Sequence, residues 1–397
     1  YTMFNARQLG LKVSANSIYG FTGAQACGKY SLIECSMSVT SRGRELITDS
    51  ALFFEKHYGA TTAYGDTDSV MVHVPEIEND PKKVWEMADV MERKINGTKD
   101  NVDKTGRVIE KGEEGIFPKP LYLEFEKAMR ALFMKKKHYA YMEYDKKGAI
   151  IKEKNSDVEA LNVKGIVLAR RDNCQWIRNT YETMIRGIFA ENPIEQSFDM
   201  IIDAVVEVIE LKFDITSNLS IAKAMGSNYK SSTFSLAIFS ELMKGLGRPI
   251  PPGERFPYVV VNDHQGRDKI GKKMRTNEFF NEQWESAGIK YGEEVPEEYE
   301  AIEGLYPPEK IDSQYYICNV LGNPVDKLFE YGYARVLDKY RKKEYKPEKN
   351  TRLKPVCVST PVKMIALMLK DYKKEISENG IEVMIPRIMD LKEWFRE

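Results

Sequence analysis

Cysteine is scarce in this sequence. Five occur in 397 residues (Cys27, Cys35, Cys174, Cys318 and Cys357) and no two form a CxxC pair. That argues against a disulfide framework, a zinc ribbon or an iron–sulfur site, and makes a reducing compartment the default. An excess of either charge is missing too: 59 Lys+Arg stand against 60 Asp+Glu. Overall basicity therefore gives no case for a nucleic-acid partner, and local clusters must carry it. No apolar run approaches the roughly 20 residues that a bilayer-crossing helix needs, and the mean hydropathy is -0.46. The chain reads as soluble, with no membrane partner. Internal repeats and low-complexity tracts are absent. The opening Tyr1-Thr2-Met3 shows neither an initiator methionine nor a signal-peptide pattern, which suggests a fragment. What is present is a chain 42% hydrophobic and 30% charged, long enough for two or three packed domains.

Turns and periodicity set the expected organisation. Residues 5–20 read as a helix with few breakers before Gly20, and a second helix is expected from Thr40 to about His57, ending near Gly59. Thr61 to Val74 is short and β-branched, and Gly65-Asp66 interrupts it, so it reads as strand, tight turn, strand. A charged helix around 81–95 and a polar, glycine-rich surface loop from Asn96 to Pro120 follow. Residues 121–126 (LYLEFE), 131–144 and 148–153 alternate like strands of one antiparallel sheet. From about 169 the texture turns helical: Ile177, Tyr181, Met184, Ile185 and Ile188 recur at helical spacing, and so do Ile201, Ile202, Val205, Val206 and Ile209. A proline-broken linker (247–261) leads into a strand, and 291–308 is acidic and loop-like. Between 335 and 354, nine Lys/Arg face three acids, a local net of +6.

Three constellations carry chemistry. In Tyr64-Gly65-Asp66-Thr67-Asp68-Ser69 two aspartates stand two residues apart. In extended backbone such positions share a side, and two like charges so close favour a cation between them. Hard divalent ions, Mg²⁺ above all, take one or two carboxylates plus substrate phosphates. A polar hairpin turn explains the pair equally well, and Met71 stands where an EF-hand needs glycine. In KVSANSIYG, helical spacing of about 100° per residue puts Asn16 at about 40° and Tyr19 at about -20° from Lys12. One narrow face then offers a cation, an amide and an aromatic edge, suited to a triphosphate with a base beyond it; the bland reading leaves Lys12 solvated and Tyr19 in the core. In Lys135-Lys136-Lys137-His138-Tyr139, read as strand, Lys137 and Tyr139 share one face and Lys136 and His138 the other, so one face suits a duplex, although a lysine run is commonly a solvated edge.

In this order the three resemble family B DNA polymerases, the group that includes replicative delta-type and large-DNA-virus enzymes. KVSANSIYG is similar to the family's fingers-helix motif, YGDTDS to its palm turn and KKHY to its primer-contacting motif. Further collinear matches are Thr22-Gly23-Ala24-Gln25, Ser38-Val39-Thr40 with Gly43-Arg44-Glu45, LEFEK at 123–127, Lys164-Gly165 followed by Arg170-Arg171-Asp172-Asn173-Cys174, GERFPYVV at 253–260, and Tyr315-Tyr316-Ile317 with Pro324. The resemblance covers roughly residues 1–330. It implies an α+β fold: the end of a fingers helix (1–20), an antiparallel-sheet palm, incomplete here (21–168), a mainly helical thumb (169–330), and a C-terminal extension (331–397), basic in its first part.

The resemblance also implies roles. Asp68 is the principal ligand of two Mg²⁺ ions and Asp66 lies beside the primer end, as the catalytic pair for attack of a primer 3′-hydroxyl on the α-phosphate. Lys12, Asn16, Tyr19 and Gly20 bind the incoming dNTP. Lys136, Lys137, Tyr139 and Thr67 bind primer-template DNA, with His138 where an arginine often stands. A sliding clamp or other processivity factor is a further partner that the family suggests. The site of action is the nucleus or a cytoplasmic viral replication site. The family's upstream DFxSLYPS-like motif, with its metal-binding aspartate, and its exonuclease motifs do not occur in these residues. The expectation is therefore a fragment, inactive alone. The single cysteine of 331–397, where delta subunits carry two cysteine-rich modules, points to a viral-type relative. Two rivals stand beside this reading. Asp66-Thr67-Asp68-Ser69-Val70 fits the DxDx[TV] loop of haloacid-dehalogenase phosphatases, in which Asp66 would be phosphorylated; a non-catalytic DNA-binding remnant is the other.

Overall fold

The computed structural model describes residues 2–24, 31–77, 80–97, 101–102, 108–110, 112–117, 119–262, 269–295, 299, 307–348 and 353–397. Cys27, Gln25, Lys349, Arg352 and parts of the two expected loops at 96–120 and 291–308 lie outside the described residues. The chain divides into two compact units, residues 1–136 with 141–162, and residues 137–140 with 163–397.

The first unit opens with helix α1 (Thr2–Thr22) and helix α2 (Ile33–Tyr58). The second helix starts well before the expected Thr40, because nothing in Ile33–Val39 breaks it. It ends where Gly59 adopts φ 59 and its N–H returns to the Glu55 carbonyl. Strands β1 (Thr61–Asp66) and β2 (Ser69–His73) pair antiparallel and pack on α2. Helix α3 (Pro81–Asn96) starts with Asp80 accepting from the Lys83 N–H and with proline in the first turn. Phe54, Ala60, Val74, Ile77, Met91 and Ile95 form this unit's core.

The glycine-rich stretch after α3 has some regular backbone among its described residues. It contains an antiparallel pair, β3 (Asn101–Val102) and β4 (Val108–Glu110). At its base Gly97 bridges to Glu114. A Cβ at Gly97 would lie 2.5 Å from the Glu113 oxygen, and one at Gly115 2.1 Å from the Asn96 carbonyl carbon, so glycine is required at both positions. Strand β5 (Ala128–Lys135) follows, then a turn at Lys136–Lys137 and strand β6 (His138–Tyr144).

Two expected strands do not form. Residues 121–127 have extended alternation but no strand partner. Instead α3 side chains hold their backbone: Asn96 donates to the Leu123 carbonyl at 2.7 Å and accepts from its N–H at 2.8 Å, and Glu92 accepts from the Phe125 N–H at 2.7 Å. Residues 148–153 contribute only isolated bridges, Tyr144 to Ile150 and Lys152 to Glu159.

The second unit includes β7 (Asn162–Lys164) from Val163 onward, then α4 (Gln175–Phe189), α5 (Ile194–Glu210), α6 (Ile215–Asn218) and β8 (Ile221–Ala224). Next come α7 (Ser235–Gly245), β9 (Arg255–Val260), α8 (Ile270–Lys273), β10 (Met274–Thr276) and α9 (Asn277–Ala287). Strand β9 is the centre of an antiparallel sheet in the order β10-β9-β8. Then follow α10 (Ser313–Tyr315), a π-helical turn (Tyr316–Leu321), α11 (Gly322–Gly332), α12 (Leu337–Tyr340), the strand pair β11 (Glu344–Tyr345) and β12 (Val356–Cys357), α13 (Pro361–Asp371), α14 (Lys373–Asn379) and α15 (Ile385–Arg396).

The helical spacings read from the sequence face this core, with Ile177, Tyr181, Met184, Ile185, Ile201, Ile202, Val205 and Ile209 buried, and Ile188 and Val206 half-buried. Helices α13 and α15 pack on α5, where the Phe198 ring meets Phe395 at 4.4 Å and Phe329 at 5.2 Å. The Tyr316 hydroxyl in the π-turn donates to the Leu219 carbonyl and accepts from the Val260 N–H. The described part of the basic stretch 335–354 includes α12 and β11. Leu337 and Tyr340 of α12 are buried, Lys339 and Arg341 pair with Glu195 and Asp338, and the Lys343 ammonium lies over the Trp394 ring. No helix of the described residues is long and apolar enough to cross a membrane.

Candidate active site

The hairpin β1–β2 is shifted from its expected form. Gly65 and Asp66 belong to β1, paired with Val70 and Ser69, and the turn is Thr67–Asp68. Its backbone closes tightly: the Asp68 N–H donates to the Asp66 carbonyl at 2.6 Å across Thr67, which adopts φ 50. That is an i→i+2 closure with a β-branched residue in the left-handed region, a strained arrangement of the kind that accompanies functional sites. Strand alternation therefore sets the direction of Asp66 but not of Asp68, which correction removes the argument that both carboxylates share a strand face. Asp66 is half-buried and Asp68 exposed. The Thr67 hydroxyl donates to Asp66 Oδ1 at 3.2 Å, and the Ser69 hydroxyl to the Asp66 carbonyl at 3.1 Å. The Asp68 carboxylate has no hydrogen bond or ion pair among the described residues.

Helix α2 is the platform for this turn. A Cβ at Gly43 would lie 3.7 Å from the Thr67 carbonyl oxygen, and one at Gly65 3.8 Å from Ile47 Cγ2. Beneath it, Tyr64 stacks on Phe133 at 5.7 Å. The sequence pattern marks Gly43-Arg44-Glu45 as a motif but gives no sign that its glycine borders the Thr67 carbonyl of the turn.

Lys12, Asn16, Tyr19 and Gly20 lie on the continuous helix α1, so Lys12, Asn16 and Tyr19 share one face as the spacing requires, with Gly20 beside it. All four are exposed. Tyr19 retains 43% of its surface, so it is not a core residue, and a Cβ at Gly20 would meet open space. Helix α1 is attached through its end: Thr22 and Ser36 hydroxyls meet at 2.9 Å, the Ser36 hydroxyl donates to the Tyr19 carbonyl at 3.4 Å, and the Leu32 N–H to the Thr22 carbonyl at 2.9 Å. The Lys12–Tyr19 face of α1 and the aspartate turn are thus both borne by α2.

The lysine motif also differs from its strand reading. Lys136 and Lys137 form the turn before β6, Lys137 at φ 61, and both are exposed, while His138 and Tyr139 begin the strand half-buried. Alternation orders His138 and Tyr139 only. In Lys127, whose Nζ reaches Glu143 at 3.2 Å, the ammonium is held above its usual range by that carboxylate against the opposing effect of burial. Strand β1 is largely exposed and pairs antiparallel, unlike the buried parallel strand that a haloacid-dehalogenase nucleophile loop follows, so that rival lacks its fold context. Among the described residues no group of three or more His, Cys, Asp or Glu could hold a metal.

Residues 1–331 match the model of the family described as DNA polymerase family B. The chain is 27% identical over 402 residues to the soybean (Glycine max) DNA polymerase delta catalytic subunit, covering 98% of this chain and 31% of that protein. It is 32% identical over 280 residues to the same subunit from Dictyostelium discoideum, covering 66% of this chain and 22% of that one. Against the Schizosaccharomyces pombe subunit identity is 28%, over 83% and 26% of the respective lengths. The chain therefore spans about a third or less of the length of these relatives. Among solved structures, a family B DNA polymerase from the archaeon Pyrobaculum calidifontis is similar at 20% identity with a TM-score of 0.45, over 85% of this chain and 34% of that one.

Proposed function

This chain belongs to DNA polymerase family B, and we propose from that premise that it supplies part of the catalytic apparatus of a delta-like enzyme adding deoxynucleotides to a primer 3′-hydroxyl under template direction. The observation that supports this best is the strained Thr67–Asp68 turn, which sets two carboxylates at the end of an antiparallel hairpin inside the family-matched region. Two carboxylates are what Mg²⁺ takes from a protein when phosphates fill its remaining positions, and Asp68 has no competing partner among the described residues; the donor set fits. Bound there, two Mg²⁺ ions would stabilise the attacking and leaving oxygens of the in-line displacement. The chain's own residues do the rest. Asp68 is the principal ligand, and Asp66, oriented by the Thr67 hydroxyl, stands beside the primer end. Lys12 and Asn16 hold the triphosphate on the face of α1, and Tyr19 senses the nascent pair beyond it. Lys136, Lys137, Tyr139 and Thr67 hold primer-template, and the helical second unit grips product duplex as a thumb.

We read the enzyme as of the large-DNA-virus kind on the single cysteine of residues 331–397, and as acting in the nucleus or at a cytoplasmic replication site with a sliding clamp or processivity factor on the resemblance of its motifs. The test is Asp68→Ala in the full-length polymerase. Losing several kcal/mol of transition-state stabilisation lowers the polymerisation rate by about a thousandfold or more, with primer-template binding retained. Polymerisation at the parental rate would overturn the proposal. Because the family's DFxSLYPS-like motif with its metal-binding aspartate does not occur in these residues, the 397-residue polypeptide by itself is expected to leave a labelled primer unextended with Mg²⁺ and dNTPs; extension in that gel assay would refute this part.

A further inference from the structure

A two-residue hairpin turn ordinarily takes Asn-Gly, Asp-Gly or another glycine pair, because positive φ is needed. Between β5 and β6 the turn is Lys136–Lys137, with Lys137 itself in the left-handed region at φ 61. A long cationic side chain at such a position costs backbone strain, and something in the fold must hold it there. The neighbour that does so is Gly165. Its φ is also positive, at 64, and a Cβ built on it would lie 2.1 Å from the Lys137 carbonyl oxygen, 3.2 Å from the Lys137 carbonyl carbon and 3.6 Å from His138 Cε1. The obstructing atoms are backbone, so they cannot swing aside as a side-chain end would. Both residues belong to the second unit, in which residues 137–140 are counted with 163 onward.

We propose that Gly165 is a positioning residue for DNA binding: its bare backbone seats against the Lys137 carbonyl and locks the Lys136–Lys137 turn in the conformation that presents both ammonium groups to the primer-strand phosphates. This rests on the reading of Lys136 and Lys137 as DNA contacts. It deepens that reading by assigning the lysine-turn geometry to a residue 28 positions away in sequence that touches no DNA itself. Any side chain at 165, even a methyl, forces the two backbones apart and displaces the turn.

The experiment compares Gly165→Ala, Lys137→Ala and the double variant in the full-length polymerase, measuring primer-template affinity across a salt series and steady-state primer extension. If Lys137 contacts a phosphate, Lys137→Ala weakens affinity uniformly across sequences by about tenfold and flattens the salt slope by about one. Gly165→Ala then reproduces both effects, its loss falls on the KM for primer-template more than on kcat, and the double variant is no weaker than Lys137→Ala alone. A merely structural role would lower stability without changing the salt slope. If Lys137→Ala weakens binding and Gly165→Ala leaves affinity and slope unchanged, the positioning role is refuted while the DNA-contact reading stands. If Lys137→Ala has no effect, the contact reading itself fails. Should Gly165→Ala not fold, amide hydrogen exchange on the parental protein without DNA decides: protection at Lys137 and His138 well above that of an open loop is expected, and exchange at open-loop rates overturns the proposal.

Discussion

Asp172 shows how single residues of a recognisable motif do structural work. In Arg170-Arg171-Asp172 its carboxylate accepts from Arg170 Nη2 at 2.7 Å and Nε at 3.1 Å, and Lys223 Nζ lies 3.7 Å away. The Arg170 hydrogen bond, outweighing the effect of partial burial, holds the carboxyl below its usual range. A folded-state value below the unfolded one means stabilisation that is complete above the ordinary carboxylate range and disappears as pH falls through the folded value. Wild type is therefore expected to exceed Asp172→Asn in stability by a constant amount near neutrality, with the gap closing below about pH 4; urea melts at several pH values measure it. A gap that widened on acidification would contradict the assignment. Arg275 is the buried counterpart. It grips Glu309 with two hydrogen bonds of 2.6 and 2.8 Å and also donates to the Lys272 and Met274 carbonyls. Both residues are at least nine-tenths buried. Removing one partner strands the other charge, so Arg275→Ala is expected to cost about 3–5 kcal/mol, whereas an exposed pair such as Arg42–Glu45 contributes at most about 1 kcal/mol. Denaturant midpoints of Arg275→Ala and Arg42→Ala separate these cases.

At the scale of elements, the sequence was legible wherever burial imposes a period and misleading wherever side chains replace a ladder. The faces of α4 and α5 follow from 3.6-residue spacing because each packs one stripe into a core. Residues 121–126 alternate just as regularly, yet their backbone partners are Glu92 and Asn96, one helical turn apart on α3. Nothing local distinguishes that from strand pairing. The turns at Thr67–Asp68 and Lys136–Lys137 were displaced for a related reason: neither has the glycine or asparagine that normally marks left-handed backbone, so motif identity was visible while conformation was not. Gly165 stands in a matched motif, but nothing in that motif shows its contact, since its partner is a carbonyl far away in sequence. The α3 clamp makes a prediction of its own. Asn96→Ala removes a donor and an acceptor that serve Leu123, and is expected to destabilise the first unit by about 1–3 kcal/mol. It should also raise hydrogen exchange at Leu123 and Phe125 with little change in β1 and β2. Unchanged exchange at Leu123 would mean that other contacts hold the segment.

For the molecule as a whole, the division into two units has a thermodynamic counterpart. Each has its own core: Ile95, fully buried among Phe54, Val74, Ile77 and Met91, belongs to the first, while Phe395 is 1% exposed and packs its ring on Phe198 in the second. Chains built from separate cores need not unfold in one step. Truncating either residue removes buried apolar surface and leaves a cavity, at about 2–5 kcal/mol for Ile95→Ala and about 3–5 kcal/mol for Phe395→Ala. If the units unfold independently, calorimetry resolves two transitions, and Ile95→Ala lowers one while Phe395→Ala lowers the other. Because α5 packs against α15, α4 and the π-helical turn, the Phe395 effect should extend across the whole of residues 163–397, including the region of the buried Tyr316 turn. Protection of amides in α4 and α5 should fall together with that of α15 in the Phe395 variant and stay unchanged in the Ile95 variant. A single transition shifted equally by both substitutions would show that the two cores fold as one cooperative body.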